Sequence, residues 1–171
     1  LTEQSVRIGD CIRLETGQEG YVEDITWRTT RIRMLLNNMV VIPNNKLAQS
    51  VVTNYYLPGK EMSLQIQVPV SYDADFDKAE RVLAEEAGKA VGHVPGLLGE
   101  PRPQVTFMPG FGENSFTLSV VCRVGEFADQ YPVQSELRKR ILKRFREEGI
   151  EMSSPETFIC SKKEEVPGDS V

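Results

Sequence analysis

The chain of 171 residues has few of the residues on which metal and disulfide sites depend. Its single histidine, His93, excludes zinc sites built from paired histidines, including HExxH centres. Its three cysteines, Cys11, Cys122 and Cys160, are scattered without a CxxC spacing, so we predict a reducing compartment and no disulfide framework. Each cysteine is expected to be a small buried side chain. The composition therefore gives no reason to expect a metal or a cofactor.

Long apolar runs and an excess of positive charge are also missing. The longest apolar run is residues 39–42, whereas about 20 apolar residues are needed to cross a bilayer. Lys and Arg number 20 against 25 Asp and Glu, and the net charge of −5 argues against a module that wraps nucleic acid. The first ten residues are polar and charged, so no signal peptide is predicted. We expect a soluble segment, and the absence of an initial Met suggests a piece of a longer protein.

A small β-barrel is predicted over residues 6–57, the first unit. Alternating apolar and polar residues separated by turn residues give five strands, at 11–14, 20–25, 29–36, 39–42 and 50–54. Asn37 and Asn38 mark a hairpin, and Pro43 ends the fourth strand before a short helical turn. Closely spaced short strands favour a barrel, because closure removes exposed sheet edges. Trp27 is the largest apolar residue of this unit, so we expect it to fill the barrel core.

A mixed α/β layer is predicted over residues 60–155, the second unit, so the fold class is β plus α+β. Its expected elements are a strand at 62–70, a helix capped by Asp73 or Asp75, a hairpin of 104–108 and 115–124, a helix that ends at Gly149 and a strand at 150–152. The order strand, helix, strand, strand, helix, strand is typical of a ferredoxin-like layer. Residues 156–171 are expected to form a C-terminal strand and a polar tail.

Two short motifs invite a functional interpretation, and in each the structural one is favoured. Asp73, Asp75 and Asp77 have the spacing that begins a calcium loop, but the glycine and closing glutamate of that loop are missing. Acidic residues at a helix start are better explained by capping. Residues 110–112 read Gly-Phe-Gly, which lacks the spacing of a phosphate-binding loop and predicts a hairpin turn.

The remaining polar candidates also favour structural roles. His93 follows a predicted helix with no recognisable nucleophile nearby, so we expect it on the surface. Six basic residues lie within 138–146, on a helix whose other face is apolar, and are expected to form a solvated face rather than a binding site for RNA or lipid. No general acid, base and nucleophile come together, so an enzyme is not predicted.

One ordered pattern in the first unit is specific. The pattern comprises a turn before the first strand, a bend, a hairpin with basic and hydroxyl residues, and a break after the fourth strand. Its residues are Gly9, Asp10, Gly20, Trp27, Arg28, Thr30, Arg33, Pro43 and Asn44. Taken together over about 40 residues, this pattern resembles the small-conductance mechanosensitive channel (MscS) family, where the pore helix joins the cytoplasmic vestibule. The likeness continues through residues 68–75 and 149–152, and residues 157–161 match a C-terminal strand of a small intersubunit barrel.

The resemblance implies both a fold and a function. The first unit would be an Sm-like barrel and the second a mixed α/β layer, together forming a cage beneath a membrane pore. Members of the family are homoheptamers that release ions and small solutes when membrane tension rises. The chain would then lie on the cytoplasmic side of the inner membrane, attached through upstream helices, with no nucleic-acid partner. Family topology places Glu126 and Asp129 near side portals of the cage as possible portal charges.

Charge along the chain supports a bias towards cations at those portals. Residues 1–59 carry six charges of each sign, so the whole net charge of −5 belongs to residues 60–171. Two other functions stay open on the sequence alone, an Sm-like ring that binds RNA and a ferredoxin-like module that senses a small molecule. A neutral barrel argues against the RNA ring, because phosphate contacts need clustered Lys or Arg.

Overall fold

The computed structural model describes residues 5–153. The first unit contains a five-stranded antiparallel sheet whose strands follow one another in the order β4-β3-β2-β1-β5. The strands are β1 (Cys11–Leu14), β2 (Glu19–Ile25), β3 (Thr29–Met34), β4 (Met39–Pro43) and β5 (Val52–Asn54), with the one-turn helix α1 (Asn44–Leu47) between the last two. All five predicted strands lie within two residues of their expected bounds.

Side chains from every strand of this sheet meet in one small core. The fully buried members are Ile12, Leu14, Val22, Ile32 and Ile42. Val52 of β5 packs against the same cluster although β5 and β4 form opposite edges of the sheet. The sheet is therefore rolled up, as the predicted barrel requires. Within the described residues, β4 and β5 do not pair with each other, so this closure depends on side-chain packing rather than on a backbone ladder.

The expectation that Trp27 fills the barrel core is wrong, because its side chain is 85% exposed. The β2–β3 pairing ends at Ile25 and Thr30, and Trp27 lies in the turn beyond that pair. A residue in such a turn has no sheet face against which to pack, however hydrophobic it is. Aliphatic side chains of moderate size fill the core instead.

The second unit contains a four-stranded antiparallel sheet. Strand β6 (Met62–Ser71) pairs along its whole length with β9 (Ser115–Val124), and β9 pairs on its other side with β7 (Leu97–Leu98) and β8 (Gln104–Phe111). Met152 forms an antiparallel bridge with Val70 on the free side of β6. The strand order across the sheet is therefore the segment of Met152, β6, β9 and β8, as expected of a ferredoxin-like layer.

Two helices cover one face of this sheet and build the larger core. Asp75 caps α2 (Phe76–Ala90), and its carboxylate accepts a hydrogen bond of 3.0 Å from the backbone N–H of Lys78. Helix α3 (Gln130–Glu147) follows a 3-10 turn (Phe127–Asp129) and buries four side chains that recur every four residues, Val133, Leu137, Ile141 and Phe145. They pack with α2 and with the inward residues of β6 and β9 in one cluster.

The structure differs from the sequence-based expectation in three details of the second unit. Residues 92–103, for which no strand or helix was expected, contain the two-residue strand β7, and β8 continues beyond residue 108 to Phe111. The predicted strand at 150–152 is reduced to the bridge at Met152. Cys11 and Cys122 are buried free thiols, as expected. Cys160 and the predicted strand at 157–161 lie outside the described residues.

The exposure of Trp27 leads to a stability prediction within the first unit. Replacing Trp27 with Ala is expected to change the free energy of unfolding by less than about 0.5 kcal/mol, as at other exposed positions. Replacing the buried Ile32 with Ala is expected to cost about 2–5 kcal/mol, because it leaves a cavity in a small core. Urea unfolding followed by circular dichroism compares the two, and similar midpoints for both variants would contradict the assignment of the core.

Candidate functional site

Three residues of the specific sequence pattern, Arg28, Thr30 and Asn44, meet at one end of the first unit. Asn44 links three segments there. Its side-chain oxygen accepts a hydrogen bond of 2.8 Å from the Thr30 hydroxyl, and its Nδ2 donates to the Thr26 carbonyl at 2.8 Å. Its backbone N–H donates to the Arg28 carbonyl at 2.9 Å. The buried Thr30 hydroxyl therefore has a partner, and the start of α1 is fixed against the β2–β3 turn.

The turn before β1 is held in a similar way. Gly9 has a φ of +92°, a conformation that favours glycine. The Asp10 carboxylate accepts hydrogen bonds of 2.8 Å from the backbone N–H of Arg7 and from Nδ2 of Asn54. Asp10 thus joins the segment that enters β1 to the end of β5. Its place in the pattern is explained by these bonds.

The backbones of the paired strands β2 and β3 approach each other closely at Gly20 and Arg33. A Cβ atom added at Gly20 would lie 2.3 Å from the carbonyl oxygen of Arg33, so only glycine allows this close approach of the two backbones. On the outer face of the sheet, the Arg33 guanidinium pairs with the Glu23 carboxylate and lowers the pKa of that carboxyl. Pro43 ends β4 and directly precedes Asn44.

A second set of contacts joins the two units. The Tyr55 ring stacks on the Phe127 ring with centroids 4.4 Å apart, and the Tyr56 hydroxyl donates a hydrogen bond to the Glu126 carboxylate. Tyr56 also meets the edge of the Tyr21 ring at 6.2 Å. These two tyrosines follow β5 directly, and no pattern in the sequence assigns them a role. Their only signal was that they are adjacent aromatic residues at the end of the first unit.

The two residues expected near a portal, Glu126 and Asp129, lie together in this junction. Each carboxylate accepts from the backbone of the other residue, which forms a capping box around the 3-10 turn before α3. The backbone N–H of Glu126 is 3.2 Å from Oδ2 of Asp129. Gly96 packs against Asp129 so closely that a Cβ there would lie 2.8 Å from Cγ. Both carboxylates therefore have local structural partners.

Burial at the junction keeps the Cys11 thiol and the Tyr56 phenol neutral. Burial raises the pKa of the Cys11 thiol to about 12, with smaller contributions from Glu19 and Glu126. Burial also raises the pKa of Tyr56, and its hydrogen bond to Glu126 adds to this effect. A neutral thiol and a neutral phenol are poor nucleophiles, so the junction can hold two units together but offers no activated group.

The other candidates have structural surroundings. His93 is exposed just after α2, as expected. Two of the six basic residues within 138–146 pair with α2, since Arg140 lies 3.5 Å from Glu86 and Arg144 lies 3.5 Å from Glu85. No three His, Cys, Asp or Glu side chains come together as a metal site within residues 5–153.

Comparison with known families decides which proteins this chain is related to. Residues 1–57 match the family model of the mechanosensitive ion channel β-domain, and residues 64–152 match that of the MscS C-terminal domain. The chain belongs to the MscS family of mechanosensitive channels. The β-sheet unit and the α/β unit described above are thus the β-domain and C-terminal domain of an MscS protein, in their usual order.

Several proteins of the MscS family align with nearly the whole chain. The large-conductance mechanosensitive channel MscMJLR of Methanocaldococcus jannaschii is 28% identical over 175 residues, covering 96% of this chain and 46% of the relative. The small-conductance mechanosensitive channel of Caldanaerobacter subterraneus is 24% identical and covers 93% of this chain and 54% of the relative. The chain spans about half the length of these relatives.

Solved MscS structures have the same fold. The closed-state crystal structure of Helicobacter pylori MscS superposes with a TM-score of 0.78 at 20% identity, covering 94% of this chain and 61% of the other. Arabidopsis thaliana MSL1, solved by cryo-EM, gives a TM-score of 0.64 at 18% identity, covering 88% and 54%. Among residues 5–153 of the MscS chain described here, no helix has the length and apolar character needed to span a bilayer.

The junction of this MscS chain generates a prediction for Tyr56→Phe. Loss of the hydrogen bond to Glu126 is expected to lower the free energy of unfolding by about 1.5 kcal/mol, the lower end for a bond to a charged group because solvent reaches the site. The wild type is also expected to lose stability above pH 10, because the unfolded tyrosine ionises near its ordinary pKa of 10.0 while the folded one stays protonated.

That alkaline loss of stability should be smaller in Tyr56→Phe. Urea unfolding at pH 7 and at pH 11 measures both effects. Tyr72→Phe is a matched control, since its hydroxyl donates to the Gly112 carbonyl at 2.7 Å within the second unit. Identical pH dependence in the wild type and in Tyr56→Phe would contradict a protonated Tyr56 at the junction.

Proposed function

We propose that this chain is the cytoplasmic vestibule of a mechanosensitive channel that releases ions and small solutes when membrane tension rises. The observation that carries the proposal is the succession of a β-domain and an MscS C-terminal domain in one chain. Relatives with the same two domains are named as mechanosensitive channels. A cage needs rigid walls and no reactive groups, which fits a molecule whose pattern residues form hydrogen-bonded turns and whose two units are joined by packed aromatic rings.

The proposal includes an assembly. A ring of identical subunits, seven by resemblance to the family, would enclose the cage and place it on the cytoplasmic side of the membrane. Among residues 5–153, the outer edges of β4 and β5 have no strand partner, which supports self-association because unpaired strand edges favour pairing with another chain. Residues 6–57, 60–155 and 156–171 would act as barrel, wall and assembly strand.

The proposal is tested directly by recording channel currents under membrane tension. The full-length protein, including any sequence that precedes residue 1, is reconstituted in liposomes, and suction is applied to excised patches. We expect currents that appear only above a threshold tension. A protein that floats with the liposomes as an assembled ring but passes no current at any tension below patch rupture would contradict the proposal.

We further propose that Glu126 and Asp129 influence which ions pass. Both lie in the acidic second unit, and carboxylates near a narrow opening raise the local concentration of cations. The double change Glu126→Gln and Asp129→Asn is expected to shift the reversal potential in a salt gradient towards weaker cation preference.

Two control variants separate charge from structure in that experiment. Glu113→Gln removes an exposed charge from the β8–β9 turn, and Tyr56→Phe breaks the junction bond while leaving Glu126 charged. We expect neither control to move the reversal potential. A shift with Tyr56→Phe equal to that of the double variant would overturn the role of the charges.

A further inference from the structure

Trp27 is the only tryptophan of the chain and one of its most exposed side chains. The Arg28 guanidinium carbon lies 4.9 Å from the centre of its ring, and the pair projects from the turn between β2 and β3. The same end of the sheet carries Ile8, which is 62% exposed, and the exposed Arg7. Gly9, just after them, donates its backbone N–H to the carbonyl of Val22 and so places this segment beside β2.

Hydrogen bonds fix the turn that carries Trp27, although the exposed Trp27 side chain does not pack in the core. The Thr26 hydroxyl accepts from the backbone N–H of Thr29 at 3.0 Å, and the backbone N–H of Thr26 donates to the Thr29 carbonyl at 2.8 Å. Asn44 donates to the carbonyls of Thr26 and Arg28, on either side of the indole. Several hydrogen bonds therefore fix the conformation of a turn whose aromatic side chain is exposed to solvent.

The charges around this turn favour a negative surface. Arg28 forms no ion pair with a carboxylate among residues 5–153, and the Asp10 carboxylate is occupied by Arg7 N–H and Asn54. Asp24, the nearest acidic residue along β2, stands opposite Arg31 of β3 in the strand register. The turn therefore presents an indole and an uncompensated guanidinium side by side.

We propose that Trp27 and Arg28 form a contact with the membrane surface, with the indole at the level of the lipid headgroups and the guanidinium on anionic lipid phosphates. Tryptophan is enriched at the membrane–water interface, and basic residues near it are attracted to anionic lipids. The inference rests on the proposed function, since a chain attached to a membrane upstream of residue 1 turns this end towards the bilayer. A second copy of the chain is the competing occupant.

The intrinsic fluorescence of Trp27, the only tryptophan of the chain, reports on the surroundings of its indole. The chain, tethered through an N-terminal hexahistidine tag, is bound to phosphatidylcholine vesicles that contain phosphatidylglycerol and a few Ni-chelating lipids. We expect Trp27 emission to shift to shorter wavelength and to be quenched by lipids brominated in their upper acyl chains. Arg28→Gln is expected to lower the ratio of quenched to unquenched Trp27 about fivefold, as for the loss of one basic contact of ~1 kcal/mol, and only on anionic vesicles.

A matched control moves the probe to the other end of the sheet. Leu36 is 84% exposed in the β3–β4 turn, at the end of β3 opposite Thr29. In the double variant Trp27→Phe and Leu36→Trp, the introduced indole is expected to stay unquenched. Circular dichroism checks that each variant is folded.

Three results would overturn the proposal. They are no quenching of Trp27, equal quenching of the indole introduced at Leu36, and a wavelength shift that depends on protein concentration without vesicles, which would assign Trp27 to a second copy. Channel activity is measured separately as stretch-activated current. Absence of quenching beside a normal current would remove the lipid contact and leave the proposed function standing.

Discussion

The hydrogen bonds of Asn44 hold three segments of the first unit in one arrangement, because its amide serves Thr30 and Thr26 while its backbone N–H serves Arg28. The unit needs such bonds. Within residues 5–153, five hydrophobic side chains form its buried cluster, against 21 in the second unit. A small core contributes little stability, so hydrogen bonds that satisfy buried polar groups provide a larger share of the stability of the folded unit. The β2–β3 turn, the start of α1 and the rolled shape of the sheet all follow from that constraint.

The contacts between the two units add buried surface to a first unit whose own core is small. Phe127 is nearly fully buried at the start of α3, and Tyr55 reaches it from the end of β5. Tyr56 adds a hydrogen bond to Glu126, whose carboxylate also caps the turn before α3. The capping residue of the second unit is thus a binding partner of the first. Any force that moves one unit reaches the other through these aromatic rings and this carboxylate rather than through the linker alone.

Periodic patterns predicted the strands and helices well, because burial of one face repeats at a fixed interval along an element. The alternation in β6 and the four-residue spacing in α3 both appear as buried faces. Hydrophobicity failed for Trp27, since the size of a side chain does not say whether its residue lies within a ladder or one step past its end. The contact of Tyr56 with Glu126 spans 70 residues of sequence, and no local pattern encodes such a pairing.

The distribution of charge limits where electrostatics can act. Arg140 and Arg144, two of the six basic residues within 138–146, are matched by Glu86 and Glu85 across the two helices. The remaining acidic excess of the second unit is spread over its surface, and physiological salt screens exposed charges beyond about 8 Å. A solute in open water beside a single chain therefore feels little of it. The same charges act on a passing ion only where neighbouring walls leave a gap of roughly twice that screening length. The charge effect proposed for Glu126 and Asp129 therefore requires a narrow opening between neighbouring walls, and a single chain in open water would not show it.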